Sequence, residues 1–126
     1  MNNKIFILLS MIFLHIIDDY KLQGILASMK QKTWWEDQKG YNELYKYDYI
    51  PALIEHSFSW AFMIMLPIAI SLNFNIGWWA IAYVINMIIH AIVDTLKANS
   101  LKINLVTDQT IHVVQIVITW MIFIFI

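Results

Sequence analysis

The chain has 126 residues, of which 60% are apolar and 13% charged, with a net charge of −1 and a mean hydropathy of +0.63. So few charges cannot clothe a water-soluble domain, and the near-zero balance argues against a nucleic-acid partner. Cysteine is absent, which excludes a thiolate metal site and leaves the redox compartment unread.

The length suits one domain, 1–126, and the charge pattern divides it into helices. The first apolar run begins near Ile5 and is interrupted by Asp18 and Asp19, sooner than a crossing of roughly 20 apolar residues should end. Either the helix is short or the two aspartates lie within the membrane slab. Lys4 and the apolar run to Ile17 loosely fit a signal peptide, but no small-x-small cleavage site follows, so the segment is taken as a retained helix. A polar connection at 29–49 carries Trp34, Trp35, Tyr41, Tyr45, Tyr47 and Tyr49 with Glu36, Asp37 and Glu43 among them, the composition of a segment anchored at the headgroup level. From Glu55 to Asp94 there is no formal charge, room for two spans joined by a turn at Asn73-Phe74-Asn75-Ile76-Gly77. The last span runs from about Gln109 to Ile126. The expected fold is therefore all-α, a four-helix transmembrane bundle with helices at about 4–28, 50–72, 76–97 and 105–126.

Lysine sets the expected orientation. Lys21, Lys30, Lys32, Lys39 and Lys46 lie at or in the first connection, and Lys97 and Lys102 flank the third. Only Lys4 lies on the other side, so the positive-inside rule puts both connections in the cytoplasm and both termini outside.

Ionisable groups inside hydrocarbon are costly, and here they repeat a spacing. His15 and Asp19 form H-x3-D on the first helix, His90 and Asp94 repeat it on the third, and Asp108 and His112 reverse it on the fourth. Residues four apart share a helix face, so each pair can turn an imidazole and a carboxylate to one point. The reversal matches chain direction, since the fourth helix runs back out, and His56 with Glu55 sits in the first turns of the second. All four histidines thus fall at the cytoplasmic ends of four helices. Gln23, Ser59, Lys97 and Gln115 extend the same polar stripes.

Imidazoles and carboxylates without thiolates are ligands of borderline-to-hard type, best suited to zinc, with manganese or iron as alternatives, in one or two ions. The predicted ligands are His15, Asp19, His56, His90, Asp94, Asp108 and His112. Lys97 is expected to hold an anionic oxygen, with Asp18 or Glu55 as general base. Asp18 sits about 60° off the line of His15 and Asp19 on an ideal α-helix. Asn86 and Thr119 read as interhelical packing groups, and Trp78 and Trp79 mark the outer interface.

With these residues in place, the chain resembles the bacterial and phage membrane-protein family catalogued as domain of unknown function 3307. The resemblance rests on His15, Asp19, Tyr20, Leu22 and Gln23, then His56, then His90, Asp94 and Lys97, then Asp108, Gln109 and His112. It implies a compact multi-pass protein of a bacterial inner membrane, phage-encoded in some cases, and no particular activity. More distantly the layout is similar to LexA-regulated inner-membrane metal-dependent hydrolases and to the all-helical zinc phospholipase C type of site. Together these lead to an expected function of membrane-embedded metal-dependent hydrolase, acting on a phosphoester or ester of a lipid-like substrate and having membrane lipids as partners. The alternatives are a metal or proton translocator, which needs a polar path continuing to the outer face, and a non-catalytic phage-type membrane protein whose polar residues only lock the bundle.

Overall fold

The computed structural model describes residues 3–75 and 77–125. The described residues are helical with short connections: α1 (Asn3–Ile17) continuing into a π turn (Asp18–Leu22), α2 (Leu26–Met29), α3 (Lys32–Glu36), a second π turn (Tyr41–Tyr45), α4 (Tyr49–Ser71), α5 (Trp79–Ala98) and α6 (Leu105–Phe125). Three of these, α4, α5 and α6, are long and apolar enough to cross a membrane.

The distribution of residue types is inverted relative to a soluble bundle. Outside, Phe6, Leu9, Phe13 and Ile16 line α1, and Ile81, Ile85, Ile88 and Ile92 line α5, all exposed and spaced three or four apart. Inside are His15, Asp18, His56, His90, Asp94, Asp108 and His112. A helix whose apolar stripe faces out and whose polar stripe faces in is stable only in an apolar solvent.

Helix α4 is the central member because two adjacent ridges of it are covered. Ala52, His56, Trp60, Ile64 and Ile68 form one i,i+4 row, and Ser57, Ala61, Met65 and Ala69 the next; all are buried. Helix α4 packs against α1 and α5, with His56 and Trp60 of the first row reaching α5, and α6 closes the bundle against α1 and α5. The rows are graded along the axis, polar at the start and aliphatic towards Ser71. Ile64, Met65 and Ile68 there join Met11, Tyr83 and Ile116 in a closed apolar core. Lipid is as apolar as these side chains, so close packing over small residues such as Ala61, rather than exclusion from solvent, holds this half together.

The expected helix at about 4–28 is a shorter helix with a break. After Ile17 the backbone widens into the π turn, with the Gln23 N–H donating to the Asp18 carbonyl at 3.2 Å. Gly24 then takes φ +51°, the left-handed region a side chain disfavours, and ends the run. The chain turns back there and the segment 25–48 lies as a strap across the bundle end. Asn99, just past α5, ties the strap down: its side chain accepts from the Lys32 N–H at 2.7 Å and donates to the Lys30 carbonyl at 3.2 Å. Within the strap, buried Trp35 donates to the Met29 carbonyl at 2.6 Å.

The other boundaries lie close to those predicted. Helix α4 spans 49–71 against 50–72, and α6 starts at Leu105 as expected. The turn after α4 is made by left-handed Asn73 and Phe74, and Ile76 lies outside the described residues. Asn104 caps α6, its side chain accepting from the Thr107 N–H at 2.9 Å.

Candidate metal centre

The π turn explains how two adjacent aspartates both serve the interior. An ideal helix would send consecutive residues about 100° apart, whereas the wider turn rotates the chain so that Asp18 is buried while Asp19 still faces α6. Asp18 accepts from Ser59 Oγ at 2.8 Å and from the Gln23 amide. The sequence placed it off the line of His15 and Asp19; the added backbone residue in the turn brings it in, on the α4 side.

Asp94, 2% exposed, is the hub. Its Oδ2 lies 2.9 Å from His56 Nε2 and 3.5 Å from His90 Nε2, and its Oδ1 lies 3.5 Å from His112 Nε2. Asp19 Oδ1 reaches His56 Nε2 at 3.5 Å, and Asp108 Oδ1 reaches His112 Nε2 at 3.5 Å. His90 and His112 face each other with Nδ1 atoms 3.3 Å apart. Two trios have ligand atoms mutually within 4.8 Å: Asp19, His56 and His90, and His90, Asp94 and His112. The three helix pairs at i,i+4 spacing thus converge with His56, which carries the second helix into the site.

His15 is brought to the cluster but has different partners from those expected. Its Nδ1 accepts from Trp60 Nε1 at 2.7 Å, which leaves the proton on Nε2, 3.1 Å from Gln109 Oε1. The Gln109 amide, fixed in that orientation, donates to Asp19 Oδ2 at 3.1 Å and to Asp108 Oδ2 at 3.0 Å. A single relay therefore runs from Trp60 through His15 and Gln109 to two carboxylates. Both nitrogens of His15 are engaged, which sets it apart from the other three imidazoles.

Trp60 was not anticipated, although it follows His56 by four and so shares its face. It is fully buried and forms the floor of the site, stacked on His90 with ring centroids 4.1 Å apart. Lys30 was not anticipated as a site residue either. Its ammonium, carried in by the strap, lies 2.5 Å from Asp94 Oδ2 and 2.8 Å from His56 Nε2. No helical periodicity marks it, because the strap's path is set by Gly24 and Asn99. Lys97 pairs with Asp108 Oδ2 at 2.9 Å. Glu55, by contrast, is exposed beside buried His56, and the fold does not bring it to the cluster.

No family model, curated protein or solved structure matches the chain. The case for the site therefore stands on its chemistry. Six buried side-chain polar atoms among the described residues lack a hydrogen-bond partner, and five of them are Asp19 Oδ1, His56 Nδ1, His90 Nε2, Asp108 Oδ1 and His112 Nε2. Native interiors leave few such atoms, and each costs roughly 1–3 kcal/mol when unpaired. Their concentration in one place, all on metal-ligating residue types, fits a divalent cation. The acidic groups also outnumber the lysines there, with Asp18, Asp19, Asp94 and Asp108 gathered around Lys30 and Lys97. This is a buried His/Asp cluster able to hold a metal ion.

Proposed function

We propose that the protein is an integral membrane metal-dependent hydrolase, with zinc as the preferred ion, acting at the cytoplasmic leaflet on a phosphoester or ester of a lipid-like substrate. The observation that carries it is the set of five unpartnered ligand-type atoms around Asp94. His56, His90, His112, Asp19, Asp94 and Asp108 would hold the metal. His15 and Trp60 act as positioning residues, the first orienting Gln109 and the second bracing His90. Nitrogen and carboxylate donors without sulfur suit zinc, and manganese or iron remain alternatives.

A divalent ion there supplies Lewis acidity and an activated water. The protein groups do the rest. Asp19, whose Oδ1 has no hydrogen-bond partner, lines the cleft beside the cluster and would hold the ion at the edge of that cleft. Lys97 lines the same cleft and can steady an anionic oxygen. Asp18, held by Ser59 and Gln23 on the α4 side, is better placed to keep the π turn in register than to meet substrate.

We also take α1 as a fourth crossing. Together with its π turn it runs from Asn3 to Leu22, about the length a bilayer requires. The lysine distribution favours cytoplasmic connections and outer termini, and we read the membrane as a bacterial inner membrane. A translocator would need a polar continuation beyond Trp60. The buried residues there are Met11, Ile64, Met65 and Ile68 with the uncharged Asn86, Gln115 and Thr119 between α5 and α6, and no histidine or carboxylate among the described residues lies beyond Trp60, which supports a dead-end site.

Elemental analysis of detergent-purified protein tests the proposal, with His90→Ala beside the wild type. Stoichiometric zinc in the wild type and its loss from the variant are expected, followed by turnover of phosphoester or ester lipids. A wild type without stoichiometric divalent metal removes the hydrolase; bound metal without turnover of either substrate leaves a carrier.

A further inference from the structure

The cluster opens on one side into a cleft of about 350 Å³ between the strap, the end of α5 and the start of α6. Lys30, Lys97, Gln31 and Gln109 supply its donors, and Asp19 and Asp94 form its inner wall. A second hollow of about 490 Å³ runs along the outer face of α6, lined by Val106, Thr110, Val113 and Val114. Tyr20, Leu105 and Gln109 line both, so the two adjoin at the π turn after α1 and the first turns of α6. The polar compartment lies against the metal cluster. The apolar one descends along α6 in the direction of the bilayer interior, away from the lysine-bearing end.

We propose that this pair of compartments is the binding site for a single anionic amphiphile, its charged head in the cleft between Lys30 and Lys97 and its alkyl chain in the groove along α6. The inference rests on the metal-centre reading for the sign of the field. Two ammonium groups and two carboxylates line the cleft, and once Asp19 and Asp94 give their charge to a divalent ion, the lysines and the ion face the head with net positive charge. Lys30 is suited to this role because Asn99 holds its carbonyl and the Lys32 N–H, and Asp94 and His56 hold its ammonium at the cleft wall rather than leaving it to sweep through solvent. Lys97 is the more accessible of the two, with its side chain 31% exposed against 10% for Lys30, and it meets the head first. The shape selects for a chain as well as a charge. A free anion would fill the cleft and leave the α6 groove unused, whereas a neutral chain would lie in the groove with nothing to meet the lysines.

Binding of dodecyl phosphate to the purified, zinc-loaded protein in maltoside micelles tests this, with inorganic phosphate and dodecanol as the partial ligands and with zinc content measured on each sample. Dodecyl phosphate is expected to bind about tenfold or more tighter than either, one charge-assisted contact being worth about that factor. Lys97→Met and Lys30→Met should each weaken it about tenfold with zinc retained. Thr110→Trp, at an exposed position that fills the groove, should weaken dodecyl phosphate and leave inorganic phosphate unchanged. Equal affinity for inorganic phosphate and dodecyl phosphate overturns the proposal in favour of a free-anion site, and equal affinity for dodecanol overturns it in favour of unspecific partition. Indifference to Thr110→Trp removes the groove. Absence of zinc from the wild type is a separate failure, that of the metal centre itself.

Discussion

Two buried polar networks lie in this bundle, and they are built to opposite ends. In the one between α5 and α6, Asn86 Oδ1 accepts from Gln115 Nε2 at 2.8 Å and Thr119 Oγ1 at 3.1 Å, while Gln115 also donates to the Asn86 carbonyl. Only Gln115 Oε1 is left without a partner there. The network is neutral, nearly saturated, and ties two helices together. The His/Asp cluster is charged, holds five unpartnered atoms, and draws on α1, α4, α5, α6 and the strap. Satisfied polarity in an apolar medium is a fastener, and unsatisfied polarity of a single ligand type marks a place for something else.

Substitutions in the two networks should separate these roles. The largest effect is expected for His90→Ala, which removes the residue common to both ligand trios and should abolish stoichiometric metal binding in elemental analysis. A variant that keeps its metal would reduce the cluster to a second fastener. Asp94→Asn comes next: it leaves the Lys30 ammonium buried against a neutral amide, and a loss of about 3–5 kcal/mol in metal-free unfolding is expected. Asn86→Ala should cost only about 1 kcal/mol, as interhelical hydrogen bonds in membranes do, with metal content unchanged. A coupled loss of metal there would show that the two networks are one. Smallest of all, Glu55→Gln should alter neither metal content nor stability, since the side chain is exposed and apart from the site.

Much of the cluster could be read from spacing. The i,i+4 pairs His15/Asp19, His90/Asp94 and Asp108/His112 depend only on helix geometry, and the structure brings all six residues with His56 to one end of the bundle. The charge-free stretches likewise fixed α4, α5 and α6 to within a few residues, because the length of an apolar run is a local property. Lys30 and Asp18 were beyond that logic. Lys30 reaches Asp94 through a reversal at Gly24 and a clasp by Asn99, sixty-odd residues further on, a contact that no periodicity encodes. Asp18 turns inward because one turn of helix carries an extra residue, a choice made by the groups that receive it, Ser59 on α4 and Gln23.

The sequence by itself determined the solvent this protein is made for, the helices that solvent demands, and the face on which each carries its histidine and aspartate. Hydrophobicity and helical period act within a segment and need no partner to be legible. Tertiary structure decided which of those groups share atoms and which remain free. His15 became engaged at both ring nitrogens, Glu55 stayed at the surface, and Asp94 became the hub, because hydrogen-bond saturation depends on neighbours arriving from other helices.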